Sequence, residues 1–512
     1  MKHSNKMFVL TLLVAGAVQS GMAASRPNVI VIYADDMGSG DLSILNKESK
    51  FQTPHMDALA RSGVNFTDAH TVSSVSTPSR YGILTGEYSW RSSLKAGVTW
   101  GFSEPLIPAD KPTVATMMKR AGYQTACVGK WHLGLGWTTN DGKVADKDGT
   151  NVCYDKPLSH TPTSRGFDYF YGMSASLDIP PYVIIENERV VKQPNARYEE
   201  TTFNEHDNEP IANPFLRAGD YVKGEGPEDF LPKYTNKVKE LIKDYSRTDD
   251  PFFIYFALTA PHAPLAPNKK FLGKSGIGLY GDFMLEVDDV VGQVVAELKK
   301  RKVLDDTIII LSSDNGAERF AYYRLAESGH NSSGVYKGVK RDLWEGGHRV
   351  PFIVSWGDKF KGGSEVNQTI CVSDIYATLA DITGVELADG EAQDSYSLMP
   401  LITGKDKYKR EYTVHHSSSG RFAIRKGDWV LIEAGLGDDN RWLDKIDYYD
   451  ILKYDLPKEL PKGELFNIKE DIEQRVSHYD DKPQIVAEFT AILDEITKGW
   501  GTRRDRYMKS KK

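Results

Sequence analysis

The chain has 512 residues and a formal charge of −7, which is long enough for a large core and two domains. That balance provides no basic footprint for nucleic acid. An anionic ligand would have to be held by local charges, because the chain as a whole lacks a positive field.

Residues 1–23 read as a signal peptide. Lys2 and Lys6 form its n-region, Met7 to Val18 its apolar h-region, and Gly21-Met22-Ala23 a cleavage site. The h-region is too short to cross a bilayer comfortably. No cysteine follows it, so a lipid anchor is not expected, and no later stretch is apolar enough to span a membrane. Cys127, Cys153 and Cys371 make no C-x-x-C pattern. In an exported chain Cys127 could pair with Cys153; buried free thiols are the equal alternative.

Pro27 to Ala34 is a largely apolar run that predicts a buried parallel strand. It ends in Asp35-Asp36, at the sheet edge where ligands of open α/β folds gather. Two adjacent carboxylates repel unless a cation lies between them. Capping a helix is the plainer role for such a pair, but Met37-Gly38 favours a loop.

Ser76-Thr77-Pro78-Ser79-Arg80 leads through Leu84-Thr85 to Gly86. Proline at a first helical position after a Ser/Thr cap predicts a helix start, and Gly86 its stop. Ser76 would then lie where unpaired N–H groups favour an anion, with Arg80 one turn further in. Taken alone, this pattern is more often a capped surface helix.

Gln124 to Val128 predicts a strand, followed by Gly129-Lys130-Trp131-His132-Leu133-Gly134. Lys130 and His132 share one face in extended chain. From Asp141 to Gly226 the sequence is polar and rich in turn residues, as in loops laid over a sheet edge, where specificity often sits. The strand Phe252 to Leu258 runs into Thr259-Ala260-Pro261-His262-Ala263-Pro264, whose prolines would fix His262 at that edge. Leu285 to Leu298 and Val372 to Ile382 have the spacing of core helices.

Thr307 to Ser313 is another apolar strand, ending in Asp314-Asn315-Gly316. Asp35, Asp36, Asp314 and Asn315 make an all-oxygen set, which suits Ca²⁺ or Mg²⁺ better than Zn²⁺. Strands alternating with helices predict a mostly parallel sheet covered on both faces. Near residue 405 the pattern changes. Arg421 to Ile432 reads as a hairpin turning at Gly427-Asp428, and Ile485 to Ile496 as an amphipathic helix. Together with Glu464-Leu465-Phe466-Asn467 they predict a small α+β unit. The expected division is 24–405 for the main domain and 406–512 for the smaller one. His415 and His416 fall at the junction, facing either a ligand or solvent.

Several blocks, in this order, resemble the type I sulfatases: Ser-Thr-Pro-Ser-Arg with Leu-Thr-Gly, Gly-Lys-Trp-His-Leu-Gly, Asp314-Asn315-Gly316, and Lys340 ahead of Glu345-Gly346-Gly347. The overall pattern is most similar to the arylsulfatase A and N-acetylgalactosamine-6-sulfatase branch. The resemblance implies an alkaline phosphatase-like α/β fold with a smaller C-terminal antiparallel-sheet domain. It also implies hydrolysis of sulfate monoesters of carbohydrates, with galactose or N-acetylgalactosamine sulfates expected first.

In that family the residue matching Ser76 is oxidised to formylglycine, whose hydrated aldehyde attacks sulfur. Asp35, Asp36, Asp314, Asn315 and the modified Ser76 would hold Ca²⁺ (or Mg²⁺). Arg80 and Lys130 would orient the nucleophile, and Lys130 and Lys340 would offset sulfate charge, Lys337 being the less favoured lysine. His262 would be the acid for the leaving alcohol and His132 the base for sulfate release. Asp178, shortly before Pro180-Pro181, is expected to grip a sugar hydroxyl unless it is a solvated loop residue, and His415 and His416 are the further substrate-facing candidates. A serine at position 76 implies an anaerobic radical-SAM sulfatase-maturating enzyme as partner, and hence a bacterial periplasmic or secreted protein. Two alternatives stay open: a zinc-dependent phosphatase or phosphodiesterase of the alkaline phosphatase superfamily using unmodified Ser76, and a binding protein without turnover.

Overall fold

The computed structural model describes residues 26–200, 216–404, 407–408, 410–438 and 459–497. The predicted signal peptide, 1–23, lies outside the described residues. Among the described residues no helix is long and apolar enough to cross a membrane.

Ten strands form one sheet. Its centre is five parallel strands in the order Thr307–Ser313, Asn28–Ala34, Phe252–Ala257, Gln124–Lys130, Tyr169–Met173. Shorter strands, among them Ile353–Ser355 and Val64–Phe66, add antiparallel pairs on one flank. The strand Asn28–Ala34 shows why the centre is buried on both sides. Val29, Val31 and Tyr33 enter one apolar cluster, and Ile30, Ile32 and Ala34 the other. Helices Pro54–Ser62, Phe230–Tyr245 and Leu279–Arg301 cover the second face. Helices Ser76–Thr85, Val114–Arg120 and Ile375–Thr383 cover the first.

Register sets the position of the chemistry. Ala34 lies opposite Ser313, and Ala257 opposite Gly129. Asp35-Asp36, Asp314-Asn315, Lys130 and the loop holding His262 therefore leave the sheet at one edge.

A second sheet of four antiparallel strands, Thr413–His416, Phe422–Lys426, Trp429–Ile432 and Glu464–Asn467, carries the helix Pro483–Thr497. Phe489 and Leu493 of that helix pack with Val414, Phe422 and Leu465. Val72, Tyr88 and Trp90 enter the same cluster from the main body, so the smaller sheet is keyed to the chain segment on either side of the Ser76 helix.

Three expectations change in detail. The helix predicted over Leu285 to Leu298 runs from Leu279 to Arg301. The one over Val372 to Ile382 is a 3-10 turn, Val372–Asp374, followed by Ile375–Thr383, with Gly384 left-handed at its end (φ 69°). The Cys127–Cys153 pairing is not formed: all three cysteines are free thiols, and Cys127 is sealed inside the central sheet.

Gly129 sits just before Lys130 with φ 104°, and a Cβ there would lie 1.9 Å from the Ala257 carbonyl oxygen. Gly129→Ala therefore combines a left-handed strain with a backbone collision inside the sheet. It is expected to destabilise the fold by about 2 kcal/mol or more, read as a lowered midpoint in thermal or urea unfolding. An unchanged midpoint would contradict this reading of the sheet edge.

Candidate active site

The helix Ser76–Thr85 has every residue buried. It starts earlier than the sequence predicts. Val75, in extended conformation, is the cap; Ser76 is the first helical residue and Pro78 the third. The segment before it is held extended by an isolated parallel bridge from Ser73 to His416, and the helix starts directly after it. Ser74 N–H donates to the His416 carbonyl at 3.2 Å, and the Ser73 hydroxyl donates to the same oxygen at 2.6 Å. Gly86 closes the helix in the left-handed region (φ 67°), as expected.

Around Ser76 Oγ the strand ends converge. It lies 3.4 Å from Asp35 Oδ1, 3.4 Å from Asn315 Oδ1 and 3.2 Å from Lys130 Nζ. Lys130 Nζ donates to both Asp35 oxygens at 2.8 Å. Arg80 donates through Nε and Nη2 to Asp314 Oδ2 at 3.0 and 2.8 Å. Lys340 Nζ is 2.8 and 2.9 Å from the Asp36 oxygens. Asn315 Nδ2 donates to Asp36 Oδ1 at 2.7 Å and to the Gly316 carbonyl at 2.9 Å, which fixes its amide so that Oδ1 points at Ser76. Asp36 itself is left-handed (φ 67°), a conformation non-glycine residues rarely adopt outside constrained sites.

Three buried carboxylates thus meet three buried cations. Burial opposes the charged form of Asp35, but Lys130, His262, Arg80 and Lys340 together outweigh it and hold the carboxyl well below its usual range. Burial likewise opposes the charge on Lys340, and Asp36 and Glu318 outweigh it, raising its pKa. A divalent cation fits the set Asp35, Asp36, Asp314 and Asn315: it is all-oxygen, its amide oxygen is locked inward, and a carboxylate oxygen of Asp35 lies within 4.8 Å of one of Asp36.

The two histidines differ in their free nitrogen. His132 (φ 57°) donates from Nε2 to the Thr99 carbonyl at 2.8 Å. Its Nδ1 is buried with no protein hydrogen-bond partner. Burial, then Lys130 and Arg80, push its pKa well down, so the ring is neutral with an available lone pair. His262 donates from Nδ1 to the Ala263 carbonyl at 2.5 Å. Its Nε2 lies 3.7 Å from Asp36 Oδ2, and its Nδ1 lies 3.8 Å from Asp178 Oδ1. Two carboxylates therefore face the His262 ring, one near each nitrogen.

Lys337 is placed elsewhere. Its Nζ bonds the Gln474 carbonyl at 3.2 Å and lies 4.0 Å from the Trp344 ring centre. Asp178 is buried, neither solvated nor open: it pairs with Arg217, accepts from Ser176 Oγ at 2.6 Å and faces His262. His415 and His416 are both enclosed, away from solvent. His415 stacks on His348 with ring centres 4.0 Å apart, and its Nδ1 donates to the Thr71 carbonyl at 2.8 Å. His416 packs against Trp90 and Phe422 and is 1% exposed. The strand Thr413–His416 is buried on both faces, so both side chains are enclosed. His70, His348 and His415 also come within 4.8 Å of one another; their ring nitrogens are taken by each other, Asp68, Thr71, Leu343 and Thr413.

Sequence reading missed three groups at the site. Thr99 holds His132, Glu318 lies 3.8 Å from Lys340, and Arg217 pairs with Asp178. Each is a single polar residue in a loop, with no local pattern to mark it.

The sulfatase family profile matches residues 27–385. The N-acetylgalactosamine-6-O-sulfatase of Bacteroides thetaiotaomicron is 34% identical, covering 93% of this chain and 94% of that protein. Human arylsulfatase A is 31% identical over 81% of this chain and 76% of its own length. Among solved structures, a sulfatase described with the metabolism of multiple glycosaminoglycans by B. thetaiotaomicron superposes with a TM-score of 0.77 at 31% identity, covering 93% of this chain and 100% of that one.

His416 provides a pH test. Burial, then Lys95, lowers its pKa to about 4. A depressed histidine contributes stability that is present above the unfolded value near 6.5 and is lost as pH falls toward the folded one. His416→Phe should therefore lose about 2 kcal/mol less stability than wild type between pH 7 and pH 5. Parallel unfolding curves at the two pH values, with no narrowing of the gap, would count against the buried neutral ring.

Proposed function

The chain belongs to the sulfatase family and is a sulfuric ester hydrolase; on that premise we propose that it removes 6-O-sulfate from N-acetylgalactosamine or galactose units of glycans, through a formylglycine made from Ser76. The reading is carried by one observation: Asp35, Asp36, Asp314 and Asn315 meet Ser76 Oγ and the cations Arg80, Lys130 and Lys340 at a single strand edge. The substrate comes from the similarity to the B. thetaiotaomicron N-acetylgalactosamine-6-O-sulfatase along almost the whole of both chains. Family membership removes the ground for the phosphatase alternative.

Asp35, Asp36, Asp314, Asn315 and residue 76 would hold a calcium or magnesium ion, which when bound polarises a sulfate oxygen and the nucleophile. The carboxylates and the three cations cancel in charge, so a divalent ion leaves the site with the positive excess an anionic ester requires. Lys130 and Lys340 line the sulfate, and Arg80 and Lys130 orient the diol of hydrated residue 76. One diol oxygen gives up its proton to solvent and attacks sulfur as the S–O bond to the sugar breaks, and His262 gives its Nε2 proton to the leaving oxygen. The second hydroxyl then passes its proton to His132 Nδ1; the aldehyde reforms and sulfate leaves, after which water rehydrates the aldehyde. An unmodified serine has no second hydroxyl for this release, so covalent catalysis would stop at a stable sulfate ester. General acid–base help of this kind is typically worth about 10²–10⁴-fold.

Oxidation of a serine calls for an anaerobic sulfatase-maturating enzyme acting on the unfolded chain. With the leader over residues 1–23, this makes the protein an exported bacterial enzyme. Active preparations should show loss of two hydrogens on the Ser76 peptide by mass spectrometry, and protein made without the maturase should be folded and inactive. Full turnover with wholly unmodified Ser76 would overturn the mechanism. Asp35→Ala or Asp314→Ala should abolish turnover, and Ca²⁺ or Mg²⁺ should restore the chelated wild-type enzyme; recovery with zinc alone would refute the assigned ion.

A further inference from the structure

Beside the catalytic residues is a cavity of about 580 Å³, within the range of about 300–1,000 Å³ usual for small-molecule sites. It adjoins them from two sides. On one wall is Trp100, next in sequence to Thr99, whose carbonyl holds His132 Nε2 and whose hydroxyl donates to the His132 carbonyl at 2.8 Å. On the other wall is Ile179, next to Asp178, which faces His262. Arg217 ties the walls together: it pairs with Asp178, and its guanidinium lies 5.2 Å from the Trp100 ring centre.

The cavity has two properties that select a ligand. Trp100 is 49% exposed and Val144 60%, and both line it, so apolar surface that folding leaves in water is gathered in one concave place. Its lining also carries three acidic and three basic side chains. This is no cationic groove for a polyanion; it is a rim of donors and acceptors around an aromatic plate. A pyranose ring presents that complement, with C–H groups on one face and hydroxyls around its edge. A sulfated sugar with its leaving oxygen at His262 would lie beside Asp178, whose neighbour Ile179 is on the cavity wall.

We propose that this cavity is a subsite for the sugar unit joined to the sulfated one, with that second ring lying on the Trp100 indole, so that the enzyme recognises a glycan chain and not an isolated sulfated sugar. The proposal rests on the sulfatase reading above, and its test separates the two.

The test uses enzyme with formylglycine verified by mass. The same 6-O-sulfated hexosamine is offered as a monosaccharide, with a neutral neighbouring unit, and with a uronic acid neighbour. Wild type should prefer at least one disaccharide over the monosaccharide by about tenfold or more in kcat/KM. Trp100→Ala should raise KM for that disaccharide about tenfold, the scale of truncating one well-packed tryptophan at an interface, while kcat moves less than KM. Trp100→Tyr should keep most of the preference, which separates loss of the ring from loss of folding. A preferred uronate adds Arg217 or its basic neighbours as carboxylate partners; equal use of both neighbours makes the ring itself the recognised feature. A wild type with no disaccharide preference, or Trp100→Ala with the preference intact, overturns the subsite and leaves the sulfatase standing. No hydrolysis of any sulfate ester by formylglycine-bearing enzyme overturns the underlying reading instead.

Discussion

The structure depends on a buried exchange of charge. Asp35, Asp36 and Asp314 are fully shielded from solvent, and so are Arg80 and Lys130. An isolated ion in such a place would cost many kilocalories per mole in lost hydration. The cost is met because every carboxylate has a cation at hydrogen-bond distance and the rigid sheet edge fixes both. The pairs also explain why the site is made of so many sequence segments. A strand can deliver carboxylates at its end, but the balancing cations have to come from a helix, a neighbouring strand and a distant loop. Arg80, Lys130 and Lys340 fill those three places.

The second sheet takes part in this arrangement. The strand Thr413–His416 bonds the segment that leads into Ser76: His416 N–H donates to the Val72 carbonyl at 3.1 Å, and His415 Nδ1 to that of Thr71. From the other side Arg341 N–H donates to the Ser74 carbonyl at 2.9 Å. Lys340 and the residue that anchors the Ser76 segment are therefore consecutive, so the Lys340 charge and Ser76 are held in one register. His415 and His416, which the sequence offers as substrate contacts, serve as packing for this clamp.

Much of this was legible in the chain. Apolar runs ending in Asp35-Asp36 and Asp314-Asn315 are local signals, and strand ends at one sheet edge follow from parallel topology. The helix beginning at Ser76 was readable except for its first turn, because Ser73 and Ser74 donate hydrogen bonds to the distant carbonyl of residue 416. The fate of His415 and His416 was hidden for a related reason: a strand packed on both faces has no alternation to show which side is wet. Asp178 looked like a loop carboxylate free for a ligand, and its partner Arg217 lies 39 residues away. Nothing in either segment indicates the pairing. Thr99 acts on His132 through a main-chain carbonyl, which any residue type could supply.

The strand Asn28–Ala34 is at the centre of the sheet and is the first of its strands to be synthesised. Both of its neighbours, Phe252–Ala257 and Thr307–Ser313, lie more than 200 residues further along. At a synthesis rate of about 5–20 residues per second, the first strand waits roughly 10–45 s before its earlier partner exists. For most of that interval Ser76 has been made while the strands that complete its surroundings have not. The topology thus sets a clock for biogenesis: under the maturation proposed above, a modifying enzyme would meet an open peptide during the delay, and the closing of the sheet would end its access. The same delay leaves an apolar seven-residue strand without its sheet partners, the kind of segment that invites wrong pairing while it waits.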